Sequence, residues 1–139
     1  MIASTVLDTN VLVYAASNAP EEAHKRAITL ELLSTQDLGF SGQILQEFYV
    51  TVTKKNRRTL TADEALDWIE AFEEFPIVPI DASIVRNGAE YSMRYQISYW
   101  DGAIVAAANL LQASTLYSED LNHGQLYGSV RVINPFRPA

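Results

Sequence analysis

The sequence contains no cysteine, which excludes disulfides and thiolate metal sites and leaves the redox compartment open. Positive charge is also scarce: ten Lys and Arg stand against seventeen Asp and Glu, for a formal net charge of −7. Such a chain repels an anionic polymer overall, so any nucleic-acid role demands a local basic patch or bound cations. No apolar run approaches the ~20 residues of a spanning helix, and no basic residue precedes the first apolar stretch as in a secretory leader. A soluble, cytoplasmic protein without a membrane partner is expected. A Gly-rich phosphate loop, a His-Glu-x-x-His zinc motif and a Gly-x-Ser-x-Gly elbow are all missing. His24 and His123 are isolated, as surface or packing histidines are.

What remains is a globular composition, 48% hydrophobic and 19% charged over 139 residues, enough for a single domain spanning 1–139 with one core. Short β-rich runs alternate with helical patterns. STVLD is followed by one or two helices between Asn10 and Ser34, LGFS by a helix from Gln43 to about Lys54 and another from Thr61 to Glu74. PIVPI is followed by helices from Ala82 to Tyr95 and from Ser98 to Gln112, then by STLYS and, after a Gly-containing loop, SVRVI. Strands separated by helices imply parallel crossovers, hence an α/β three-layer sandwich with a central parallel β-sheet flanked by helices. Ligands then belong outside the carboxyl ends of the strands. The tail NPFRPA reads as a chain end after the last strand.

Four carboxylates occupy positions that cost energy. Asp8 follows Val6-Leu7 at the end of the first strand, where a cap on the next helix accounts for one of the polar residues Asp8, Thr9 and Asn10 but poorly for all three. Glu47 shares a helical face with Ile44, Phe48 and Thr51, so its carboxylate points coreward unless it reaches water or a lysine. Asp101 heads the most apolar helix, in ISYWDGAIVAAANLL, where Ser98 to Asp101 also fits a capping box; the Gly102 that follows permits close approach of a backbone or ligand. Asp120 follows the strand Thr115 to Ser118, in a stretch whose Asn122 and Gly124 equally suit an exposed loop. Two of the four stand at strand ends and two on helices entering the same end of the sheet. Carboxylates converging in one cleft repel one another and hold protons unless a divalent cation offsets the charge, so the set implies a metal site. Oxygen-only donors favour Mg²⁺ or Mn²⁺, at roughly 2.0–2.2 Å.

VLDTNVLVY, the helical Glu47, SYWDGAIVAAA and LYSEDLNHGQ together resemble the PIN-domain ribonucleases, and among these the VapC-type toxins of bacterial toxin–antitoxin modules. The resemblance spans the chain from Asp8 to the last strand. It implies that Asp8, Glu47, Asp101 and Asp120 are the catalytic and metal-binding acids, with Thr9, Asn10 and Ser118 in support. Glu119, adjacent to Asp120, is the alternative for the fourth acid. It further implies a Mg²⁺- or Mn²⁺-dependent endoribonuclease, a cognate antitoxin that docks near the cleft, and a homodimer. Hydrolysis by an activated water needs no 2′-hydroxyl attack, so products with 5′-phosphate and 3′-hydroxyl ends are expected.

An RNA substrate also requires positive charge. KKNRR places Lys54, Lys55, Arg57 and Arg58, four of the ten basic residues, just after the Glu47 helix. This strip is a candidate phosphate contact, although cations at a helix C-terminus also suit the macrodipole. Tyr49, Tyr99 and Trp100 are candidate base-stacking or packing aromatics. Haloacid-dehalogenase-type phosphatases also carry an Asp after their first strand, but they need a second Asp two positions on, where this chain has Asn10. The non-enzymatic alternative is an RNA- or protein-binding module of the same fold with an inactive acidic site. Retention of all four charges argues against it.

Overall fold

A computed structural model describes residues 1–55 and 59–138. The first strand, β1 (Thr5–Leu7), is buried at every position, as an apolar strand covered on both faces must be. Asp8 ends it and caps α1 (Thr9–Leu12), which tightens into a 3₁₀ turn over Val13–Ala16. A second 3₁₀ turn, Pro20–Glu22, leads into α2 (Ala23–Thr35). β2 (Leu38–Ser41) runs directly into α3 (Gly42–Val52), whose first turn is capped by Ser41 Oγ accepting from the Ile44 N–H at 3.2 Å. α4 (Ala62–Phe72) opens on a capping box between Thr61 and Glu64. After the two-residue β3 (Ile77–Val78) come α5 (Ala82–Tyr95), α6 (Tyr99–Leu110), β4 (Thr115–Tyr117), β5 (Leu126–Tyr127) and β6 (Val130–Ile133).

The strands form one sheet in the order β3-β2-β1-β4-β6-β5, parallel throughout except for the antiparallel β5–β6 pair. The three-layer α/β expectation therefore holds: the chain is a mostly parallel sheet flanked by helices. β1 lies at the centre, with β2 and β3 added on one side and β4 and β6 on the other. The crevice between β1 and β4 is thus the point where strand order reverses, and the carboxyl ends of these strands are where such sheets place ligands.

The core sits around this centre. Phe40 of β2, Phe48 of α3 and Phe72 of α4 are buried and packed ring on ring, with centroids 4.8 Å apart for Phe40–Phe72 and 5.4 Å for Phe48–Phe72. Aromatic contacts of this kind add about 0.5–1.5 kcal/mol each beyond area burial, and they fix α3 against β2. α6 packs across β2, β4 and β6, and α5 pairs along α6.

Three features add to the sequence expectation. The stretch from Asn10 to Ser34 is two short turns and two helices, because Pro20 fixes φ and lacks the N–H that a continuous helix would use. β5, a two-residue strand with an exposed Leu126, is too short to show alternation; it forms a hairpin with β6 through Gly128 at φ +63°. The tail is more than a chain end, since the Phe136 ring meets Tyr14 edge-on at 5.3 Å.

α5 ends on Gln96 at φ +56°, a left-handed C-cap that favours glycine. Gln96→Gly is expected to raise stability by about 0.5–1 kcal/mol. A fall in the chemical-denaturation midpoint would show that the Gln96 side chain contributes more than its backbone strain removes.

Candidate metal centre

Parallel pairing of β1 with β4, Leu7 opposite Tyr117, brings the residues after each strand side by side. The Asp8 N–H donates to the Tyr117 carbonyl at 2.9 Å, and Ser118 Oγ donates to Asp8 Oδ2 at 2.8 Å. Asp8 Oδ1 accepts from the Thr9 N–H at 2.7 Å, with Asn10 Nδ2 at 3.5 Å from Oδ2. Capping and site roles are therefore not alternatives at Asp8: one oxygen caps α1 while the other meets Ser118.

The helices supply the other acids. α6 precedes β4 and runs back across the sheet, so its N-terminus returns to the carboxyl edge and delivers Asp101 there. Ser98 Oγ caps this helix, accepting from the Asp101 N–H at 3.0 Å. Ser118 also accepts from the Asp120 N–H at 3.1 Å, turning the chain so that Asp120 faces the same point. One carboxylate oxygen each from Asp8, Asp101 and Asp120 lies within 4.8 Å of the others. They range from buried (Asp8) through half-buried (Asp101) to exposed (Asp120) and line an open cleft of about 900 Å³.

Glu47 lines the same cleft but is not one of this trio. Its oxygens accept from Thr9 Oγ1 at 2.6 Å and from Gln43 Nε2 at 3.1 Å. Gln43 also donates to the Trp100 carbonyl at 3.0 Å, tying α3 to the start of α6. Sequence reasoning does not single out Gln43, although its position four residues before Glu47 on one helix places the two side by side.

Between the two candidates for the fourth acid the geometry is unequal. Glu119 points away from the trio, accepting from Tyr14 Oη at 2.7 Å and pairing with Lys25 Nζ. That bond to Glu119 holds the Lys25 ammonium above its usual pKa. Asp120 is the residue that joins Asp8 and Asp101. Of the basic strip, Lys54 lines the cleft and Lys55 is exposed, while Arg57 and Arg58 lie outside the described residues. Among the candidate stacking residues, Trp100 lines the cleft and is 62% exposed, whereas Tyr49 packs against the core.

Electrostatics distinguish Asp8 and Asp101 from an ordinary acidic surface. Burial pushes the Asp8 carboxyl from 3.8 up to about 7; hydrogen bonds from Ser118 and Thr9 offset part of this, and the charges of Asp101 and Asp120 add to it. Burial also raises Asp101, partly offset by Ser98, and the nearby Asp120 and Glu47 push it further. Acids that resist ionisation next to one another are relieved by a cation, and an all-oxygen set suits a hard divalent ion such as Mg²⁺ or Mn²⁺. The residues present fit that group.

A mostly parallel sheet with carboxylates gathered at its switch point defines an α/β protein with an acidic, cation-suited cleft. The chain belongs to the PIN-domain family, whose model matches residues 5–128. Comparison with curated proteins finds no match. Among solved structures the fold is similar to a toxin–antitoxin complex from Klebsiella pneumoniae, at 20% identity and TM-score 0.68, covering 97% of this chain and 100% of the other. It is similar to VapC20 of Mycobacterium tuberculosis, described as a sarcin-ricin loop cleaving toxin, at 16% identity and TM-score 0.68, covering 92% and 99%. VapBC2 from Rickettsia felis, bound to a DNA fragment from its promoter, matches at 20% identity and TM-score 0.64, covering 95% and 97%. No helix among the described residues is long and apolar enough to cross a membrane.

Proposed function

We propose that this chain acts as a single domain, a Mg²⁺- or Mn²⁺-dependent endoribonuclease, and serves as the cytoplasmic, homodimeric toxin of a pair restrained by a cognate antitoxin. The observation that carries the reading is the convergence of Asp8, Asp101 and Asp120 within 4.8 Å, with Asp8 buried at 4% exposure. A buried carboxylate beside two others is unfavourable to folding, and a bound cation gives it a use. The family match supports nuclease chemistry, and the similar folds described as toxins or toxin–antitoxin complexes support the antitoxin partner.

In this reading Asp8, Asp101 and Asp120 hold the cation, and Glu47, fixed by Thr9 and Gln43, faces the same cleft as a fourth acid able to accept a proton from water. Ser118 and Asn10 orient Asp8. A divalent ion held there would supply charge able to activate water and to stabilise a pentavalent phosphate. Among the described residues Lys54 is the cation of the cleft lining and is proposed to meet the RNA backbone, with Lys55, Arg57 and Arg58 completing the proposed strip.

The test is cleavage of end-labelled single-stranded and structured RNAs with Mg²⁺, Mn²⁺ or EDTA. Cuts with 5′-phosphate ends, absent in EDTA and in Asp101→Asn, are expected. Cyclic-phosphate ends or cleavage in EDTA would contradict the mechanism, and no cleavage together with no metal stabilisation would favour the binding module.

A further inference from the structure

The pair Lys25–Glu119 sits one residue from the acid trio and outside the chemistry described above. Glu119 is flanked by Ser118, which bonds Asp8, and by Asp120, which joins the trio. Its carboxylate is held from two sides: Tyr14 Oη donates to one oxygen and Lys25 Nζ to the other. Lys25 Nζ also lies 3.3 Å from Tyr14 Oη, 5.0 Å from the Tyr14 ring centroid and 5.1 Å from that of Phe136. Phe136 is placed in turn by its N–H donating to Asn134 Oδ1, and the Asn134 N–H donates to His123 Nδ1, just beyond the turn. The Glu119 N–H reaches Asn10 Oδ1 at 3.4 Å.

We infer that Lys25, with Tyr14 and Phe136, is a positioning clamp: by holding Glu119 away from the trio it keeps the turn that Ser118 Oγ closes in the orientation that faces Asp120 to Asp8 and Asp101. This rests on the metal-site reading above. Glu119 and Asp120 are adjacent, and with the Glu119 carboxylate bonded to Tyr14 and Lys25 it is Asp120 that faces Asp8 and Asp101. The exposed Asp120 carboxylate accepts no hydrogen bond among the described contacts, so its direction follows from the turn, whose backbone is held by Ser118 Oγ accepting from the Asp120 and Leu121 N–H groups and whose Glu119 side chain is held by Lys25 and Tyr14. The ion pair is partly exposed, at 37% for Lys25 and 22% for Glu119, and such pairs add little to stability. Its effect is directional. Phe136 lies beyond the 5–128 segment matched by the family, so the clamp draws on a part of this chain outside that match.

Charge and geometry predict opposite results, which makes the clamp testable. A cation near an anionic metal site weakens metal binding by repulsion, so a Lys25 acting through charge alone would give tighter Mn²⁺ binding when removed. A positioning Lys25 gives weaker binding, because Asp120 is no longer oriented. Mn²⁺ titration calorimetry on the full chain compares wild type with Lys25→Met, Lys25→Arg and Phe136→Ala, alongside melting of each without metal. Expected are a roughly tenfold loss of Mn²⁺ affinity in Lys25→Met, as for other residues that orient metal ligands, a smaller loss in Phe136→Ala, and recovery to within about threefold of wild type in Lys25→Arg. Unchanged or tighter binding in Lys25→Met overturns the clamp alone, including where only the metal-free melting temperature falls. A wild type that binds no Mn²⁺ at millimolar concentration overturns both the clamp and the metal-site reading.

Discussion

Asp8→Asn is expected to melt at a higher temperature than the wild type without metal, to lose stabilisation by Mg²⁺ or Mn²⁺, and to cleave no RNA. The three effects share one cause. The amide introduced by this substitution keeps an oxygen for the Thr9 N–H and turns its NH2 to Ser118 Oγ, which can accept from it as well as from the Asp120 N–H, so the two short contacts survive and only the 3.5 Å contact from Asn10 Nδ2 is lost. What disappears is a buried charge beside Asp101 and Asp120. A carboxyl raised from 3.8 to about 7 destabilises the ionised folded protein by on the order of 4 kcal/mol, of which relaxation of the site leaves a part for the variant to recover.

The sign with pH follows from the same shift. The folded state binds the Asp8 proton more tightly than the unfolded chain, so the stability this group contributes is fully present below about pH 4 and is lost as pH rises through about 7. Metal-free wild type should therefore lose stability across this window more steeply than Asp8→Asn, and saturating Mn²⁺ should flatten the wild-type curve, since the ion takes the proton's place. Thermal melts from about pH 4.5 to 7.5, with EDTA and with Mn²⁺, read both slopes. Identical slopes for wild type and Asp8→Asn would show that Asp8 is not under this electrostatic load.

Much of this arrangement is legible in the sequence because it is local or periodic. Asp8 and Ser118 stand directly after apolar strands, and a parallel sheet places such residues on one edge. Glu47 and Asp101 can be placed on their helices from 3.6-residue spacing. Less legible is what depends on distant partners. That Glu119 is held apart from Asp120 depends on its bonds to Lys25 and Tyr14, which are remote from it in the chain, and no spacing rule connects them. Gln43 can be seen beside Glu47, but its second bond, to the Trp100 carbonyl, depends on how α3 meets α6. The division of the acids into a trio and a separately held Glu47 is likewise a matter of packing between elements.

Gly102 carries the other large effect, and it shows how packing reaches the site. The residue after Asp101 permits close approach, and what approaches is the backbone of α5. A Cβ at Gly102 would lie 2.4 Å from the Gly88 carbonyl oxygen and 2.9 Å from the Ser92 nitrogen, and a Cβ at Gly88 would lie 2.8 Å from Ala103 Cα. These neighbours are backbone and cannot rotate aside, so the two helices must separate. Alanine at an interior helix position is otherwise favoured by about 0.5–1 kcal/mol over glycine, but forcing a methyl into a closed contact costs about 1–3 kcal/mol and more against backbone. Gly102→Ala is therefore expected to be destabilised by about 2 kcal/mol net, or roughly 6 °C for a domain of this size. It should also bind Mn²⁺ less well, because moving the first turn of α6 carries Asp101 away from Asp8 and Asp120. Gly88→Ala, with its looser overlap, should show the same two losses in smaller measure and guards against a Gly102 variant that fails to fold. Melting and Mn²⁺ titration decide between the terms: a Gly102→Ala protein that melts higher than wild type would mean that helix propensity outweighs the contact and that the α5–α6 crossing does not hold Asp101 in place.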